Sequence, residues 1–123
     1  MEQLWAPWRI KYIEIAKQEG CILCDKPRED NDELNYILYR GQKNFIIMNS
    51  YPYNAGHLMV APYRHVAALD ELTDDERDEH FALASRCVRV LRQAFRPDGF
   101  NIGVNMGRVA GAGVDKHIHS HIV

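Results

Sequence analysis

The run His117-Ile118-His119-Ser120-His121-Ile122-Val123 alternates an imidazole with another side chain, and no other stretch of the sequence restricts the fold as tightly. As a β-strand, its period of two puts His117, His119 and His121 on one face and Ile118, Ser120 and Ile122 on the other. Sheet faces are usually stabilised by burying Val, Ile or Phe, so three titratable rings side by side are poorly explained by packing. The pattern predicts a sheet with one apolar face and one face that meets something polar.

The rest of the chain must supply the other strands and a core. With 123 residues, 46% of them hydrophobic, it has material for a modest core, and without repeats or linker-like tracts it reads as a single domain, 1–123. A formal charge of −2 with acids and bases interspersed argues against sequence-independent binding to nucleic acid, although a local anion site is compatible with it. Between Met1 and Ala16 the charges of Glu2, Arg9, Lys11 and Glu14 break up any stretch of signal-peptide or membrane-spanning length. Three cysteines, an odd number, fit a reducing compartment. The expected setting is the cytoplasm, with no membrane partner.

Tyr36–Arg40, Asn44–Asn49 and His57–Ala61 are short apolar runs bounded by Gly, Asn or Pro, and they read as strands, the first two joined by Gly41-Gln42-Lys43. Thr73 followed by Glu76 is a capping-box signature that starts a helix, and Pro97-Asp98-Gly99 ends it. Phe81, Ala84, Val88, Leu91 and Phe95 form its expected apolar stripe. Phe100–Asn105 returns to strand character, and a glycine-rich loop from Gly107 to Gly113 leads into the histidine run. The sum is α+β: an antiparallel sheet of about five strands with one long helix packed on it. The aromatic, proline-containing segment Leu4–Arg9 is expected to be part of an N-terminal arm, 1–20, packed on the body or on a second subunit.

Cys21-Ile22-Leu23-Cys24 is the second chemical signal. A Cys-x-x-Cys pair can be half a zinc site, a redox dithiol or two ordinary cysteines, and spacing alone does not decide. No second pair is present, and the loop-like surroundings do not suggest a thioredoxin-type motif. Histidines must complete any tetrahedral site, the candidates being His57, His65, His80 and the terminal three. His80, beside Glu79 on an arginine-rich helix, reads as a surface residue. His65 follows Pro62-Tyr63-Arg64 in a loop able to fold back over the cysteines. Cys87 falls among apolar helix positions and reads as a packing residue.

Taken together these residues resemble the histidine triad (HIT) family of nucleotide-binding proteins, whose signature His-φ-His-φ-His-φ-φ, with φ apolar, is met at every place except Ser120. Asn49–Val60, Pro62–His65, Leu72-Thr73, Gly99-Phe100-Asn101, Asn105-Met106-Gly107 and the N-terminal Leu4-Trp5 with Pro7 and Arg9 resemble the bacterial branch that includes diadenosine tetraphosphate phosphorylases. The resemblance implies a HIT-like fold, a homodimer, and a structural zinc ion on Cys21, Cys24, His65 and His117. Two thiolates and two imidazoles would leave that ion no open position, making it a clamp. It further implies that His119 is a nucleophile that attacks an α-phosphorus and forms a nucleotidyl-histidine intermediate. A backbone carbonyl near His57 would set the His119 tautomer, and His121 would donate to phosphate oxygens. Asn49 matches a ribose-binding position, Asn105 a position on the phosphate side, and main-chain amides around Gly111 and Gly113 would add to anion binding.

The sequence departs from the family at three further points. Gly113 and Val114 stand where relatives often place Gln, Ser or Thr. The chain stops at Val123, where members usually continue with Pro-Arg-Trp and a segment expected to shape the pocket or dimer. The zinc quartet is absent from some phosphorylases of the branch, which leaves hydrolysis and phosphorolysis both open. Other readings of the same residues are a metal-centred metallohydrolase, a nucleoside phosphoramidate hydrolase, and a nucleotide-binding module of low turnover. Phe45, Ile47 and Leu58 offer an apolar base pocket that would not strongly reject guanine.

Overall fold

A computed structural model describes residues 21–48, 57–106 and 117–123. Asn49, Gly111, Gly113 and the 1–20 arm lie outside the described residues. Among the described residues two short helices come first, α1 (Ile22–Arg28) and α2 (Asp32–Asn35), the latter capped by the Asn31 side chain, which accepts from Leu34 N. The strands are β1 (Ile37–Arg40), β2 (Asn44–Met48), β3 (Leu58–Pro62), β4 (Ile102–Val104) and β5 (Ser120–Ile122), and between β3 and β4 runs the 22-residue helix α3 (Asp74–Phe95). The described strands form one antiparallel sheet in the order β1-β2-β3-β5-β4. The expected α+β architecture is therefore the observed one.

Strand alternation divides the core. Ile46, Leu58, Val60 and Ile122 turn to one face and pack under Leu83, Ala84, Cys87 and Leu91 of α3. Phe45, Ile47 and Ala61 turn to the other and pack with Leu23 of α1 and Ile37. On β5, Ser120 and Ile122 are fully buried, whereas His121, and His119 just before the strand, are half-buried. Ser120 and Ile122 thus lie under α3, and His121, between them on the strand, faces the other way.

Helix α3 starts where the cap signal places it. Thr73 Oγ1 accepts from Glu76 N at 3.1 Å, and the Glu76 carboxylate accepts from Thr73 N at 2.8 Å. Arg96, at φ 48°, ends the helix in the left-handed conformation. The buried stripe differs from the expected one. It runs through Glu76, His80, Leu83, Ala84, Cys87 and Leu91, while Phe81 and Phe95 are exposed. Two of the buried positions carry polar side chains, so an apolar count selected a face rotated away from the true one. His80, read from sequence as a surface residue, is only 1% exposed. The Cys-x-x-Cys surroundings, read as a loop, are the start of α1.

The connection Gly41-Gln42-Lys43 joins β1 to β2, and Glu79 reaches it from α3. Its carboxylate accepts from Gln42 N at 2.7 Å and from Lys43 N at 2.8 Å. A Cβ on Gly41 would lie 2.7 Å from Glu79 Oε2 and 2.8 Å from the Asn44 carbonyl, so only glycine permits this approach.

Candidate functional site

Four of the residues singled out in the sequence converge at the edge of the α1-side face. Cys21 caps the N-terminal end of α1, Cys24 lies on its first turn, His65 follows β3, and His117 precedes β5. Cys21 Sγ lies 3.1 Å from His117 Nδ1; Cys24 Sγ lies 3.3 Å from the same atom and 3.2 Å from His65 Nδ1; and the two Nδ1 atoms are 3.3 Å apart. All four ligand atoms fall within 4.8 Å of one another. A zinc tetrahedron with Zn–N of about 2.0–2.1 Å and Zn–S of about 2.3 Å separates its donors by roughly 3.3–3.8 Å, close to this spacing.

The chemistry of the donors fits a cation as well as their spacing does. His117 Nε2–H donates to the Pro62 carbonyl at 2.7 Å, which leaves the Nδ1 lone pair aimed at the two sulfurs and His65. Burial pushes His117 down to about 4, against the opposing effect of the Pro62 bond, so the ring is neutral at pH 7. Burial and the adjacent Cys21 push the Cys24 thiol up to about 11. Burial and a neighbouring thiol outweigh the opposing charge of Arg28 and keep Cys24 from ionising, and a bound divalent ion reverses that balance. Four protein donors also leave no coordination position for a water nucleophile, which counts against the metallohydrolase alternative.

His119 stands apart from this group. Its Nδ1–H donates to the His117 carbonyl at 3.2 Å, so Nε2 carries the lone pair. Among the described residues, the carbonyl that His119 Nδ1 meets is one from its own segment. Burial lowers the His119 pKa, opposed by that hydrogen bond and reinforced by His121, which favours the neutral ring. His121 pairs in register with Met59 on β3 and with Gly103 on β4. A Cβ at position 103 would meet the His121 ring at 2.9 Å from Nε2 and 3.2 Å from Cε1, so the imidazole lies directly over the glycine. The ring of His57 meets that of His121 edge-on, centroids 6.0 Å apart and planes at 88°. Burial, then His121 and His119, push His57 down to about 4.

Asn105 follows β4 and is half-buried. Phe45, Ile47 and Leu58 are buried core residues, and Leu58 faces α3 rather than the histidine side, which removes it from the expected base pocket. Two residues near the histidines escaped the sequence reading. Gly103 carried no signal beyond being a glycine inside a strand, a position that often marks close approach by another group. Ser120 was noticed as a departure, but its partner, His80, lies 40 residues away in sequence.

The chain is 37% identical over 131 aligned residues to the AP-4-A phosphorylase of Mycobacterium tuberculosis, an alignment covering all of this chain and 67% of that protein. It is 32% identical over 87 residues to the asymmetrical bis(5'-nucleosyl)-tetraphosphatase of Schizosaccharomyces pombe, covering 71% of this chain and 47% of that one. A crystal structure of a Zn-bound histidine triad family protein from Mycobacterium smegmatis superposes with a TM-score of 0.70 at 27% identity, over 85% of this chain and 74% of that one. The family model of the HIT domain matches residues 32–123, three quarters of the sequence including all six histidines, and the chain belongs to the HIT domain family.

Proposed function

We propose that the protein is an enzyme that transfers a nucleotidyl group from dinucleoside polyphosphates such as diadenosine tetraphosphate, by phosphorolysis or by hydrolysis. The observation that carries this reading is the state of His119, a neutral ring outside the cysteine-histidine group whose Nδ1 is tied to the His117 carbonyl. Its Nε2 lone pair forms a bond to the α-phosphorus while the bond from phosphorus to the bridging oxygen breaks, and the electron pair leaves with the departing polyphosphate. The Nδ1–H bond steadies the positive charge that the ring gains. Phosphate or water then attacks the same phosphorus, the P–N electrons return to Nε2, and the attacking oxygen loses its proton to solvent.

His121 donates to the non-bridging phosphate oxygens as charge builds on them, and His57, edge-on to it, restricts its ring. Asn49, Asn105 and the main chain at Gly111 and Gly113 complete the nucleotide site. Cys21, Cys24, His65 and His117 hold a structural zinc ion, which supplies a cross-link between α1 and the start of the histidine strand. The functional unit is a single domain spanning 1–123, with 1–20 as its arm. It acts in the cytoplasm as a homodimer, the dimer being supported by the outer position of β4 among the described strands and by Ile102, 48% exposed on it.

Product analysis with diadenosine tetraphosphate tests the reaction. ATP plus ADP formed only in the presence of phosphate identifies phosphorolysis, and ATP plus AMP identifies hydrolysis. Mass spectrometry of the rapidly quenched enzyme is expected to show an AMP-sized adduct on His119, absent from His119→Ala, while that variant keeps its zinc. Absence of both turnover and adduct from the zinc-loaded protein, or loss of zinc from His119→Ala, overturns the proposal.

A further inference from the structure

Behind the histidine strand lies a buried polar chain that the reaction does not use. His80 Nε2 is 2.6 Å from Ser120 Oγ, and His80 Nδ1 is 2.8 Å from Asn44 Oδ1. The Asn44 amide nitrogen donates to the Glu76 carbonyl at 3.0 Å and to the Glu79 carboxylate at 2.9 Å. These bonds fix every direction in the chain. Asn44 Oδ1 can only accept, so His80 Nδ1–H donates to it; the neutral ring then presents a lone pair at Nε2, and the Ser120 hydroxyl donates there. Burial keeps the His80 ring neutral, its pKa pushed down to about 4. Asn44 and Ser120 are fully buried and His80 is 1% exposed, so water does not compete. A Ser-His-Asn set of this shape also resembles a nucleophile and its base. The complete burial of Ser120 removes that use, because no substrate reaches its oxygen.

We infer that His80 and Ser120 are a positioning pair for the histidine strand: their bond, anchored through Asn44 and Glu79, holds β5 against α3 so that His119 and His121, on either side of Ser120 in the chain, meet the α-phosphate squarely. Ser120 lies between those two histidines, so any slide or rotation of its side chain is passed to both. Strand β5 is three residues long, and its other contacts with α3 run through the apolar Ile122, which does not specify direction. A directional bond between fully desolvated partners does. Anchorage is sound because Glu79 is also bonded to the β1–β2 connection. The same bond explains the polar residue at an otherwise apolar place in the motif, since an apolar side chain at 120 would leave His80 Nε2 buried and unsatisfied.

The inference rests on the proposed role of His119, and its test separates the two. Ser120→Thr keeps the hydroxyl, and Ser120→Val has nearly the same shape without it. Val is expected to lower kcat about tenfold or more, as small misplacements of reacting groups do, with KM and zinc content unchanged, whereas Thr stays close to the parent. Equal kcat for Thr and Val overturns the inference. If the added methyl group unfolds both, Ser120→Ala and His80→Leu, singly and together, form a second arm. The double variant is expected to be no slower than the slower single one, and a Ser120→Ala enzyme with parental kcat overturns the pairing. Ring nitrogen NMR gives a readout independent of turnover. His80 is expected to appear as the Nδ1–H tautomer, and the His119 and His121 ring signals to move on Ser120→Ala. Should the parent protein prove inactive, the proposed function fails, and unmoved ring signals would then overturn the positioning pair separately.

Discussion

Position 103 has no side chain because the imidazole of His121 occupies the space one would take. Replacing Gly103 by Ala puts a methyl carbon 2.9 Å from Nε2, closer than van der Waals contact allows, and the group that yields is the ring. The backbone itself is an ordinary strand, where alanine loses less conformational freedom on folding than glycine. We therefore expect Gly103→Ala to leave the melting temperature within a few degrees of the parent's and, on the role proposed for His121, to reduce kcat by about tenfold or more, the scale typical of a displaced reacting group. Steady-state kinetics beside a thermal melt check this. A fully active Gly103→Ala protein would show that His121 has no fixed place in the reaction.

At the scale of elements, α3 illustrates which features a sequence discloses. Its start was legible because the capping box is local: Thr73 and Glu76 satisfy each other's backbone across three residues. Thr73→Ala is expected to cost about 1 kcal/mol, measured as a lower urea midpoint with unchanged m-value. The face that α3 buries was not legible. It depends on His80 finding Asn44, 36 residues earlier, and Ser120, 40 residues later, and no apolar periodicity encodes such partners. The strands were visible as bounded apolar runs, and the metal-type quartet was recognisable through motif resemblance rather than spacing. That Cys21 sits at the N-cap of a helix was hidden, since the helix is short and carries Pro27.

Across the whole molecule, buried neutral histidines make stability depend on acidity. In the folded protein, burial holds His57 and His80 at about 4, below the ordinary value of 6.5. As pH falls below 6.5 the unfolded chain takes up these protons first, so stability is complete above that value and drains away between 6.5 and 4. Two such groups give a slope of up to about 2.7 kcal/mol per pH unit. Urea unfolding of the zinc-loaded protein at pH 7.5, 6 and 5 should show a steadily falling midpoint, and a midpoint that does not move would refute the buried neutral state. Glu76 behaves differently. The Arg64 pair holds its carboxyl at about 2, so its contribution persists through this range and fades only as pH falls from 4.5 towards 2.

Cys21 and His117 touch although 96 positions separate them along the chain. During synthesis the two thiols leave the ribosome long before the imidazole that faces them has been made. Whatever ion this cluster keeps can be fully enclosed only after translation has passed residue 117, so tight loading of that ion reports that synthesis has reached the histidine run.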